Sequence, residues 1–198
     1  MLRGEGGHEV ESRESGVEGG GRGLFVRAGK VEEGGVVTLY PGVVLDATGL
    51  MMMSLSPDAS KGEYLLGVRT GGEAYTIDGG AFGGEESALR VWESVAGRAG
   101  SRCDPQGDHG HALGYLANHS GESANVRIVP VWYEKDAVEA SGGGWENVPN
   151  VMFSAGGGER VLGAAMVAIR AIEEGEEVLL HYGFGEEAAS RCREWYRA

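Results

Sequence analysis

Three short segments hold the side chains best suited to chemistry. Asn118-His119-Ser120 sets a flat amide, an imidazole and a hydroxyl side by side. Asn offers a donor and an acceptor in one plane, and a neutral His offers one of each, a set that suits adenine or a peptide backbone. The tripeptide equally suits a polar turn that caps a helical turn over 112–117. The run Gly175-Glu176-Glu177-Val178-Leu179-Leu180-His181-Tyr182-Gly183 ends on a phenol, which can donate or accept. Taken alone it also reads as an ordinary turn and edge strand. Gly21-Arg22-Gly23-Leu24-Phe25 has small residues that let the main chain approach a ligand. Taken alone it also reads as the start of a strand. It is no dinucleotide fingerprint, because no βαβ pattern follows.

Other reactive groups are less well placed. Asp108-His109-Gly110-His111 contains metal-capable side chains but has no third partner at useful spacing, so no metal site is expected. The two cysteines, Cys103 and Cys192, form neither a metal spacing nor a disulfide framework, which points to a reducing, intracellular compartment. No Lys/Arg-rich import run decides between nucleus and cytoplasm. Met51-Met52-Met53 reads as adaptable apolar filler. The net charge of −13 disfavours direct binding of a phosphate backbone, which needs a Lys/Arg footprint. It is compatible with a basic peptide partner, and it serves solubility equally well.

The elements that must position these groups are short. With 198 residues, one domain is the prior, and the chain can bury a sizeable core. There is no run of eighteen apolar residues, so no membrane span is expected. Met1 to Gly6 has no apolar h-region, so no secretory signal is expected. Residues 1–18 are polar and aperiodic, and are expected to be disordered. Apolar runs punctuated by Gly or Pro predict strands over 36–40, 43–45, 64–68, 74–78, 126–132, 161–170 and 178–182. Ala88, Leu89, Trp92, Val95 and Ala96 share one helical face. Ala188, Cys192, Trp195 and Tyr196 do the same in a helix expected over 186–198. Many strands and few helices predict a mainly β fold of several small sheets, not a doubly wound one.

In this order, the three segments resemble the SET-domain protein methyltransferases. That family opens on Gly-x-Gly and two apolar residues, as Gly21 to Phe25 does here. Val31 to Val37 and Tyr40-Pro41-Gly42 are similar to its next strand, turn and strand. Its Asn-His-Ser-Cys followed by a second Asn is matched by Asn118-His119-Ser120-Gly121 and Asn125-Val126. Its Gly-Glu-Glu-Leu run closing on Asp/Asn-Tyr-Gly is matched by Gly175, Glu176, Glu177, Tyr182 and Gly183. His181 departs from the usual Asp or Asn. Gly121 replaces a Cys that belongs to a zinc site in many members, so no zinc is expected.

The resemblance implies a SET β-clip fold with a pseudo-knotted C-terminus over residues 19–185, with insertions at about 79–112 and 133–150. Those insertions, with Val148-Pro149-Asn150-Val151, are similar to the branch called SET domain-containing protein nine. It implies protein-lysine N-methylation from S-adenosylmethionine, on a histone or another protein with a basic, lysine-bearing segment. It further implies cofactor binding by Arg22, Gly23, Leu24, Asn118 and His119, and a catalytic role for Tyr182. Tyr75 and Tyr115 would line the lysine channel, or would be core aromatics. Trp195 and Tyr196 would close over the cofactor, or would pack the last helix. The alternative is a catalytically inactive SET module that binds proteins.

Overall fold

The computed structural model describes residues 7–55, 63–99, 101, 103–107, 110–153 and 159–183. Its strands are β1 (Glu9–Glu14), β2 (Arg22–Ala28), β3 (Val36–Tyr40), β4 (Gly42–Leu45), β5 (Leu65–Thr70), β6 (Glu73–Asp78), β7 (Asn118–His119), β8 (Val126–Glu134), β9 (Asn150–Met152), β10 (Arg160–Ala168) and β11 (Glu177–Leu180). Its helices are α1 (Ala47–Ser54), α2 (Glu86–Ala99) and α3 (Lys135–Ala140), with short 3-10 turns at Gly114–Leu116 and Trp145–Asn147. Two compact units result. One takes residues 39–115 and 129–165; the other takes the described parts of 2–38, 116–128 and 166–198.

The first unit is built on a four-stranded sheet in the order β5-β6-β4-β9. β5 and β6 form a hairpin, with Thr70 opposite Glu73. Gly71 and Gly72 between them sit at φ +60° and +83°, as a two-residue turn matching strand twist requires. α2 covers this sheet with the face expected from its periodicity: Ala88, Trp92, Val95 and Ala96 are buried. They pack with Val43, Leu45, Phe82 and Val151. Phe82 meets Trp92 edge to face, with ring centroids 5.0 Å apart. The first expected insertion therefore supplies the main helix of this unit. The second carries α3.

α1 corrects the reading of Met51 to Met53. It starts at Asp46, whose Oδ1 accepts from Gly49 N at 2.7 Å. Met53 fills the core, but Met51 and Met52 are 65% and 58% exposed. Three consecutive helical residues cannot share one face, so only one can be filler.

The second unit orders chain that sequence polarity marks as a tail. β1 lies inside the stretch expected to be disordered, and pairs antiparallel with β2 from Val10↔Val26 to Glu14↔Arg22. Its polar sequence suits an edge strand with largely solvated faces. Arg13 stacks its guanidinium 4.3 Å from the Phe25 ring centroid, and Arg27 pairs with Glu9. On the other side of β2 lies β11, through Glu177↔Phe25 and Val178↔Leu24. β11 also runs parallel to β7 and meets the first residue of β8. A strand from late in the chain thus lies between segments from its start and its middle, the knot-like closure that the resemblance implies. The strand expected over 178–182 stops at Leu180, so His181 and Tyr182 stand off the sheet. The helix expected over 186–198 lies outside the described residues. Among the described residues no helix is long and apolar enough to cross a membrane.

Trp92→Ala should destabilise the fold by about 3–5 kcal/mol, the usual cost of emptying a large aromatic site. Urea unfolding followed by circular dichroism measures this; a loss below about 1 kcal/mol would show that α2 contributes little to the first unit.

Candidate functional site

Everything at this site depends on how β11 is held. Between Ser120 and Asn125 the chain is not a strand, so β11 would lose partners there. Asn125 supplies them. It is 1% exposed. Its Nδ2 donates to Glu177 O at 2.7 Å, and its Oδ1 accepts from Leu179 N at 2.8 Å. Its own main-chain N donates to Leu179 O at 2.9 Å, and Ser120 N donates to Leu180 O at 3.2 Å. One side-chain amide thus imitates a peptide of a neighbouring strand, with donor and acceptor both satisfied.

This pairing brings Asn118 beside β2. Asn118 Nδ2 donates to Arg22 O and to Glu177 Oε1, both at 3.2 Å. Both neighbours are acceptors, which fixes which end of the amide is nitrogen. Both amide hydrogens are spent inside the protein, and Oδ1 accepts from no group among the described residues. The sequence-based expectation of a donor and an acceptor for a ligand is therefore corrected: only the acceptor is left. Gly23 lies at the same spot. A Cβ there would sit 2.2 Å from Glu177 Oε1 and 3.1 Å from Asn118 Nδ2, and one on Gly20 would also reach Asn118 Nδ2 at 3.1 Å. Only bare backbone permits this approach.

The other expected binding residues divide. Arg22 takes part through its carbonyl, since its guanidinium is bound to Ser12 Oγ at 2.8 Å and Ser12 O at 2.7 Å. Leu24 is wholly buried and holds β2 against β11, so its side chain cannot meet a ligand.

His119 and Tyr182 form the second half of the site. His119 is 7% exposed, and its Nδ1 accepts from Tyr182 N at 3.1 Å. That bond places the proton of the neutral ring on Nε2. Burial lowers the pKa of the imidazole below its ordinary 6.5; the Leu180 carbonyl acts against this, and neighbouring His181 adds to the lowering. The Tyr182 ring centroid lies 5.1 Å from that of His119, and its hydroxyl donates to Ala117 O at 2.9 Å. A phenol that donates its proton there presents its oxygen as an acceptor. Tyr182 is 40% exposed. His181 lies with its ring centroid 5.5 Å from His119 and accepts from Gly183 N at 3.0 Å.

Tyr115 and Tyr75 belong to the first unit. Tyr115 packs edge-on to Tyr64 at 6.1 Å and against Phe82, a core aromatic. Tyr75 bonds Glu73, which raises its pKa, and meets Trp132 edge-on at 6.2 Å. Asp108, His109, Trp195 and Tyr196 lie outside the described residues. Among the described residues no group of three or more His, Cys, Asp or Glu side chains is placed for a metal ion. Two residues with work to do were given no role by sequence reasoning: Asn125 and Glu177. Both stand in matched motifs, and only their hydrogen-bond partners show what they do.

Asn125→Ala orphans Leu179 N and Glu177 O, and should cost about 1–3 kcal/mol per unmet buried group in urea unfolding; an unchanged midpoint would show that β11 does not need this amide. The lowered pKa of His119 favours its neutral form in the fold. Its contribution is therefore complete above pH 6.5 and is lost as pH falls from 6.5 through the lower folded value. The thermal midpoint should drop across that window in the parent and less in His119→Gln; parallel curves would refute the assignment.

No protein-family model and no curated protein sequence matches the chain. Solved structures do. CpSET8 from Cryptosporidium is similar with a TM-score of 0.51 and 16% identity, over 91% of this chain and 60% of that one. A chain of ctPRC2, in an autoinhibited conformation bound to S-adenosylmethionine, aligns with a TM-score of 0.45 and 18% identity, over 89% of this chain and 15% of that one. The chain thus spans 60% of the length of the CpSET8 chain. At 16% identity the likeness is one of architecture: mainly β, with few short helices, this chain has the β-rich SET fold.

Proposed function

We propose that this chain is an S-adenosylmethionine-dependent protein-lysine N-methyltransferase. The observation that carries the reading is the spent amide of Asn118. Its donor half is consumed by Arg22 O and Glu177, so its Oδ1 is left as an acceptor beside the bare backbone of Gly20 and Gly23. S-adenosylmethionine carries N–H donors at both its amino-acid and its adenine ends, so the residues present fit it. The SET fold supports the same reading.

The cofactor, when bound, supplies a methyl group on a sulfonium: the lone pair of a neutral amine takes the methyl, and the sulfur–carbon electron pair stays on sulfur. The residues do the rest. Asn118 Oδ1 and the glycine backbone would hold the cofactor. The Tyr182 oxygen would accept an N–H of the amine and aim its lone pair, while the surplus proton leaves to solvent. His119, kept neutral, adds no positive charge beside a sulfonium. The net charge of −13 supports a basic, lysine-bearing protein segment as substrate, histone or other. Membership of the SET domain-containing protein nine branch draws on the two insertions and on Val148 to Val151.

The second reading is an inactive SET module that binds proteins.

Calorimetric titration with S-adenosylmethionine tests the first reading. Saturable binding is expected, weakened about tenfold or more in Asn118→Ala, a loss of about 1.4 kcal/mol. With a lysine peptide, Tyr182→Phe should lower kcat more than cofactor affinity. A folded sample that binds no cofactor at millimolar concentration overturns the cofactor site. Binding without turnover on any basic peptide selects the inactive module.

A further inference from the structure

Asn118 can face outward as an acceptor only while something holds its other end. Arg22 O takes one amide hydrogen, and Glu177 Oε1 takes the second. The Glu177 carboxylate is itself fixed from elsewhere. Ser15 Oγ donates to Oε1 at 2.6 Å, and Gly16 N donates to Oε2 at 3.1 Å. Ser15 is locked in turn: its N donates to Gly21 O at 2.8 Å, and Val17 N donates to its Oγ at 3.0 Å. The carboxylate has no cation partner in this set, only donors that share its charge. Gly23 completes the seat, because any larger residue would strike Oε1.

We propose that Glu177 is a positioning residue: held by the Ser15–Gly16 turn, it sets the orientation of the Asn118 amide and so the polarity that the cofactor meets. This rests on the methyltransferase reading only for the identity of the ligand. A carboxylate is suited to the task because it is an acceptor at both oxygens. Its three donors come from two other segments of the chain. An amide at 177 could serve Gly16 or Asn118 but not both, since its nitrogen would face a donor. An apolar side chain would serve neither, and Arg22 O alone would then hold the Asn118 nitrogen inward.

The test is a double-mutant cycle on cofactor affinity, with an independent probe of the amide. Glu177→Met keeps the bulk and removes both acceptors; it should weaken S-adenosylmethionine binding at least tenfold. Glu177→Gln should fall between the two, and it serves where the Met variant does not fold. In an Asn118→Ala background the substitution at 177 should change affinity less than twofold, because the residue it acts through is gone. Unchanged affinity in Glu177→Met, or an equal loss in both backgrounds, overturns the proposal. The side-chain NH₂ signals of Asn118, followed by NMR without any ligand, give the second readout. They should move and exchange faster with water in Glu177→Met; signals that stay where the parent has them overturn it too. If the parent binds no cofactor, the functional reading fails, and the NMR comparison alone still decides whether Glu177 orients Asn118.

Discussion

The second unit depends on a four-residue strand that has to satisfy three neighbours at once. β11 faces β2 on one side, and β7 with the start of β8 on the other. The Asn125 amide bridges the stretch in between by bonding Glu177 O and Leu179 N. Unmet peptide groups in that position would be costly, because the surrounding core of Leu24, Val126, Val178 and Leu180 is almost dry. An amide is the one side chain that can present a donor and an acceptor with the spacing of a peptide. Its placement sets the depth of β11, and so the positions of Asn118 and His119 alongside it.

From that constraint the polar site acquires direction. Asn118 is held at its nitrogen, His119 at its Nδ1, and Tyr182 at its hydroxyl proton. In each case the protein fixes one end of a two-ended polar group. Asn118 and Tyr182 are then biased toward accepting from a ligand, and the His119 ring toward neutrality. A site that accepts and has bare backbone nearby suits a ligand with N–H donors.

The reach of the sequence follows from which forces are local. α2 was legible because Ala88, Trp92, Val95 and Ala96 repeat at helical spacing, and they are buried as that spacing requires. β3, β4, β6, β8 and β10 were legible as apolar runs between turn residues. β1 was not, because an edge strand gains its order from backbone pairing with β2, and its side chains carry no apolar pattern. α1 was not, because an uncharged run of Met with no polar face has no readable period. Asn118, His119 and Tyr182 could be singled out by type and order, and the fold brings them into neighbouring positions. What could not be read was which atoms of Asn118 are already engaged. That is settled by Arg22 and Glu177, which lie 96 and 59 residues away in sequence.

Those separations also govern when the site can exist during synthesis. Ser15 and Gly16 reach Glu177 across more than 160 residues of chain. The first unit, within residues 39–165, has its whole complement of strands before β11 has been made. The segments of the second unit that emerge first must wait, with the apolar edges of β2 and β8 unpaired, until Glu177 to Leu180 clears the ribosome. Contacts of such long range form late and leave a nascent chain open to wrong pairing. The polar, charged β1 covers one edge of β2, and the opposite edge is the one that waits for β11.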